Sequence, residues 1–194
     1  MNATPSILIA LALAPLAAAP ALAHERALAK EVVVAAPVEA AFKAWTTNEG
    51  IQSFFAPEAF VEPRPDGRFS IHMNPYGAAG MKGADDMRVL GVQENRMLSF
   101  TWNAPPHLPD ARRQRTVVIV RFEPLGESKS KVRLTHIGWG EGGQWDDAYK
   151  YFDRAWGNVL ANLEKRFAEG KPVDWTSWLA RLKAYEEEQA KKRK

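Results

Sequence analysis

His136 is the residue of this chain best placed to do chemistry. It follows Val132 and Leu134 at steps of two, so an extended strand turns all three to one face. A neutral imidazole there can donate to a ligand carbonyl or accept a proton near neutral pH. A core histidine bonded to backbone is the commoner occupant of such a position, and that reading is favoured over catalysis. His72 alternates with Phe69, Ile71 and Met73, and Arg121 with Val118, Val120 and Phe122, which assigns both to outward faces. His24 and His107 complete the histidines, and no His-x-x-x-His or His-Glu-x-x-His spacing occurs, so no metal site is expected. Asp146-Asp147 opens a helical stretch, where carboxylates favour the macrodipole without any catalytic role; Asp85-Asp86 is the other acidic pair. The chain has no cysteine, which excludes disulfides, thiolate metal sites and cysteine nucleophiles together. No Gly-x-Ser-x-Gly elbow, phosphate loop or dinucleotide fingerprint appears, so no catalytic residue and no cofactor is assigned.

Large rings are the second signal. Phe42, Trp45, Phe54, Phe55, Phe69, Phe100, Trp102, Trp139, Trp145, Tyr149, Phe152 and Trp156 fall on segments that would converge in one interior. A solid core accounts for them. So does a ligand pocket, whose walls are typically aromatic with a few polar groups.

The elements that must position these residues follow from periodicity. Tyr149, Phe152, Trp156, Val159, Leu160, Leu163 and Phe167 recur at steps of three and four, predicting one long helix over 146–167. Before it, strands are predicted at 31–36, 59–62, 67–73, 87–93, 98–102, 116–122 and 132–136, separated by Gly, Pro and Asn turns. Two short helices follow the first strand, one opened by Pro37 with Val38, Ala41, Phe42 and Trp45 on one face, the second at 51–55. The segment 46–50 between them ends the first with residues that tolerate left-handed geometry. Connections between strands are mostly too short for crossover helices, so the sheet is antiparallel. The fold class is therefore α+β: a curved antiparallel sheet of about six to seven strands wrapped around a long C-terminal helix.

The two ends read differently. Met1 to Ala23 carries no Asp, Glu, Lys or Arg, holds an apolar run at 7–14 and ends in Ala21-Leu22-Ala23. These are the marks of a signal peptide cleaved before His24, although the n-region lacks its usual Lys or Arg. Pro15 and Pro20 interrupt the run, which falls short of the ~20 residues a membrane span needs. Cleavage would leave His24 as the terminal residue, where amine and imidazole can chelate copper, but such a site needs a second imidazole. The remainder is about 170 residues, enough for one well-buried domain and an appendage. Residues 24–29 form an N-terminal arm, 30–170 the domain and 171–194 a C-terminal extension. That extension has a helical pattern in Trp175, Trp178, Leu179, Leu182 and Tyr185, and is expected to dock on the domain rather than dimerise or lie on a membrane. Net charge is +3, concentrated at 112–115 and 191–194, and nucleic acid is not an expected partner of an exported protein.

The order of these elements, with the residues filling them, resembles the START-like superfamily (SRPBCC, or helix-grip). Within it the chain is similar to the family named after the activator of the heat-shock-protein-90 ATPase. The resemblance rests on Pro37 to Trp45, Gly67-Arg68-Phe69, Leu98-Ser-Phe-Thr-Trp102, Val132 to His136, and Trp156 with Val159, Leu160 and Leu163, although Ala155 replaces the family's glycine. It implies a deep apolar pocket between sheet and helix, lined by Phe42, Trp45, Phe55, Phe69, Phe100, Trp102, His136, Tyr149, Phe152 and Trp156. Chaperone activation does not carry over, because export would separate the protein from cytosolic chaperone and ATP. The expectation is an exported, periplasmic carrier of a small hydrophobic molecule, oriented by His136. A polyketide-cyclase-like enzyme with two facing ionisable groups, or an interaction module using the extension, are the alternatives.

Overall fold

A computed structural model describes residues 26–192. The predicted signal segment and its cleavage point lie outside the described residues. The chain runs β1 (Leu28–Val34), α1 (Val38–Thr46), α2 (Asn48–Gln52), β2 (Glu58–Val61), β3 (Phe69–His72), β4 (Gly83–Ala84), β5 (Val89–Gln93), β6 (Met97–Trp102), α3 (Pro109–Arg112), β7 (Thr116–Pro124), β8 (Ser130–Ile137), α4 (Gln144–Glu169) and α5 (Thr176–Lys192).

Every strand pair is antiparallel, and the helix-grip order is present. Five strands form one sheet in the order β1-β8-β7-β6-β5, and β2-β3-β4 form a second. The two are stitched where Phe69 N–H donates to Met87 O at 2.8 Å and Val89 N–H to Gly67 O at 2.9 Å. The expected single curved sheet is thus broken at one irregular bridge, Arg68 opposite Arg88. The short β4 and the single turn α3 sit in stretches whose composition reads as loop. β1 begins three residues earlier than the strand predicted at 31–36, because β8 extends far enough to pair Leu28 with His136.

Alternation decides which side chains enter the core. On β6, Leu98, Phe100 and Trp102 are buried; on β7, Thr116, Val118, Val120 and Phe122; on β8, Val132, Leu134 and His136. α4 answers with Ala148, Phe152, Trp156, Val159, Leu160 and Leu163 along one stripe. Its last turn closes on Gly170 at φ +67°, a left-handed C-cap that a side chain would strain.

The junction of α1 and α2 departs from expectation. Thr47 is extended, and Asn48 to Gly50 belong to α2 rather than to a left-handed cap. Glycine is required at 50 for space: a Cβ there would lie 2.5 Å from Lys43 O and 2.7 Å from Ala44 Cα. Gly50→Ala is therefore expected to lower stability by about 2 kcal/mol through forced separation of the two helices. Urea unfolding checks this, and a stability equal to wild type would show that the helices separate freely.

Candidate functional site

A half-open cleft of about 900 Å³ lies between the middle of α4, the loop that carries β4, the 102–107 segment and α5. α4 turns Tyr151, Phe152, Ala155, Trp156 and Val159 into it, because residues three and four apart share a helix face. Phe55 and Pro57 come from the segment after α2, and Trp102 from the end of β6. Met73 and Met81 enter from the loop around β4, while Trp175, Trp178 and Tyr185 are supplied by the C-terminal extension.

Of the ten residues expected to line a pocket, Phe55, Trp102, Phe152 and Trp156 do so. The other six lie elsewhere. Phe69 and Phe100 stack with centroids 4.0 Å apart and are fully buried; Trp45, also fully buried, packs edge-on to Phe54 and Phe55 at 5.2 and 5.7 Å. Phe42 meets Phe122 at 5.4 Å, away from the cleft. Tyr149 sits near the start of α4, donating to Ala27 O at 3.1 Å beneath the Arg26 guanidinium. Periodicity identifies inward faces correctly, but the void occupies one edge of the sheet–helix interface, and rings fill the rest.

His136 is the clearest correction. It is fully buried, and both ring nitrogens are engaged within the core. Trp156 Nε1–H donates to its Nδ1 at 3.0 Å, so the proton resides on Nε2, which donates to Thr116 Oγ1 at 2.7 Å. Burial lowers its pKa to about 3, so it is neutral. It cannot orient a ligand. Its role is to fix the indole of Trp156, whose ring forms part of the cleft wall.

His72 lies on the outer face of β3 as expected, yet it is buried. Its Nδ1 meets the Glu58 carboxylate, its Nε2 is 3.8 Å from Asp85 Oδ1, and Phe60 covers it edge-on at 5.6 Å. Asp85 in turn reaches Arg112, whose Nη2 lies 3.3 Å from Oδ2 and also donates to Gly80 O at 2.6 Å and Gly83 O at 2.8 Å. Its other terminal nitrogen donates to Ala104 O. Arg112 thereby ties the loop around β4, one wall of the cleft, to the 102–107 wall. The side chains of Arg112 and Asp85 are only 11% and 12% exposed, so breaking the pair leaves a carboxylate short of water. Arg112→Met is expected to cost about 3 kcal/mol, measured by urea unfolding. A loss below about 1 kcal/mol, the scale of an exposed pair, would mean that the loop holds without it.

Polar side chains are few in the lining: Asn74, Lys82, Asn103, His107, Asn158, Asn162 and Glu186, of which Asn103 is buried. Asn74 Nδ2 donates to Glu186 Oε1 at 2.8 Å, and Asn162 Nδ2 to Phe54 O at 3.2 Å. Burial raises the pKa of Tyr151, which keeps its phenol neutral. Tyr151, Met81 and the α5 residues are not foreseen from periodicity because they lie off the main stripe, in a loop, or beyond the domain. The spacing of Trp175 and Trp178 was the one available signal for the last group.

Residues 35–168 match the model of the family described as activator of Hsp90 ATPase homologue 1-like protein. The chain belongs to this family. No curated protein matches it. Among solved structures, protein MLL2253 from Mesorhizobium loti is 25% identical with a TM-score of 0.58, over 72% of this chain and 95% of its own. The AHSA1-like protein from Rhizobium etli is 22% identical with a TM-score of 0.55, over 79% and 88%. The Aha1 dimer from Colwellia psychrerythraea is 17% identical with a TM-score of 0.56, over 73% and 96%. These likenesses establish the fold of the family in this chain. The matched segment ends before α5, so the cleft of this AHSA1-like protein includes a wall from outside it.

Proposed function

We propose that this AHSA1-like protein binds a small hydrophobic molecule non-covalently in the cleft and does so after export. The observation that carries the reading is the cleft itself: a preformed space of about 900 Å³ walled by Phe55, Trp102, Phe152 and Trp156, with few polar side chains in its lining. Ligand sites are typically concave, mostly apolar and of roughly 300–1,000 Å³. Apolar burial supplies the affinity, at about 25 cal/mol per Å² before the costs of association. The uncharged 1–23 segment supports export, and no helix among the described residues is long and apolar enough to cross a membrane.

Native mass spectrometry of the protein purified from its own host tests the binding, together with displacement of the fluorescent probe N-phenyl-1-naphthylamine. A co-purifying apolar mass and saturable probe binding are expected. Absence of both would overturn the carrier reading. N-terminal sequencing of the same material tests export, with His24 expected as the first residue.

A further inference from the structure

α5 has no buried residue along its 17 positions, whereas α4 buries a continuous stripe. Leu179 and Leu182 are only half-buried, so apolar packing holds α5 weakly. Hydrogen bonds to the domain add to that contact. Val173 N–H donates to Ser53 O at 2.9 Å, Trp175 Nε1–H to Gln52 O at 2.6 Å, and Trp178 Nε1–H to Met73 O at 3.0 Å. Further along, Glu186 accepts from Asn74 Nδ2 at 2.8 Å. Asp174 caps the helix start by accepting from Thr176 N–H at 2.9 Å. Each indole thus commits its N–H to the domain backbone while its ring borders the cleft.

The rings remain half exposed. Trp178 is 40% and Tyr185 55% accessible, which is unfavourable for large side chains facing an apolar hollow. The flat rings of Trp102, Phe152 and Trp156 line the same cleft.

Resting on the carrier reading above, we infer that α5 is a ligand-contacting wall, added outside the family-matched segment, in which Trp178 and Tyr185 close on a flat, ring-bearing apolar ligand and set which ligand this protein accepts. Ring-on-ring contact buries area on both faces of such a molecule and adds the stacking preference of aromatic pairs. The Asn74–Glu186 bond ties the wall to the loop around β4. With no residue of α5 buried, the helix belongs to the least stable part of the fold, where ligand-responsive elements are found.

The test uses the full chain. Binding of N-phenyl-1-naphthylamine is titrated for wild type, the Trp178→Ala/Tyr185→Ala double variant and Trp178→Phe. The double variant is expected to bind about tenfold more weakly or worse, and Trp178→Phe to stay within about threefold, at nearly unchanged melting temperature. Hydrogen exchange on the wild-type protein supplies a measurement free of mutation: probe binding is expected to slow the amides of 176–190 along with those of the 77–84 loop. Unchanged affinity in the double variant, or protection of the loop and α4 without α5, overturns the inference and leaves the carrier reading standing. No probe binding by wild type overturns the inference, and overturns the carrier reading too when no apolar mass co-purifies.

Discussion

Lowering the pH from 6.5 to 3 is expected to remove roughly 4 kcal/mol of stability through His136 alone. In the folded protein burial holds this imidazole at a pKa of about 3, whereas the unfolded chain restores an ordinary value near 6.5. Between those two values the unfolded state binds a proton that the folded state refuses. Stability therefore falls as pH drops through this window, by up to about 1.4 kcal/mol per pH unit, and is fully present above it. The cause is local. Nδ1 is already an acceptor for Trp156 Nε1–H, so protonation would set two donors against each other in a dry core. Urea unfolding followed by circular dichroism from pH 7.5 to 4 reads the slope. His136→Gln loses the titrating group, and its slope is expected to be shallower by about 1.4 kcal/mol per unit, although it is less stable at neutral pH. An unchanged slope in that variant would assign acid sensitivity to other groups.

Trp156→Ala is expected to destabilise the protein by about 4–6 kcal/mol, through lost packing and a lost hydrogen bond together. Trp156 is 1% exposed and touches Phe55, Trp102 and Phe152 with centroid separations of 5.6, 5.4 and 6.0 Å. Truncation opens a void against rings that cannot collapse into it and orphans His136 Nδ1. Trp156→Phe separates the two contributions: the ring volume is mostly kept, and a loss of about 1–3 kcal/mol reports the missing hydrogen bond. A double-mutant cycle with His136→Gln should return coupling of at least ~1 kcal/mol. Additive losses would show that the indole and the imidazole are held independently. Because Trp156 also lines the cleft, Trp156→Phe should change ligand affinity as well as stability, which ties the interior histidine to the site it does not touch.

Much of the domain was legible in the sequence because alternation and 3.6-residue periodicity are written residue by residue. The α4 stripe from Phe152 to Leu163 and the inward faces of β6, β7 and β8 follow from them directly. The resemblance to the AHSA1-like family follows too, since it rests on the order of the same segments. The candidate site was legible only in part, and the reason is geometric. Periodicity says which way a side chain points, but not whether another ring already occupies the space ahead of it. Phe69 and Phe100 point inward and fill the core by stacking on each other. Trp102, Phe152 and Trp156 point inward as well, but they border the gap.

Local spacing and residue type were enough to specify the elements, their order, the faces they bury and the family they compose. Three features came only from packing. His136 turned from a prospective ligand contact into a satisfied core group, since its partners Trp156 and Thr116 each lie 20 positions away in the chain. The void fell at the edge where α4 meets the loop around β4, where Arg112 holds the wall by bonds that no spacing predicts. And α5 came to lie along that void, through hydrogen bonds to Gln52, Ser53, Met73 and Asn74 that span more than a hundred residues. A binding site is a shape left between elements, and that shape exists only once they have packed.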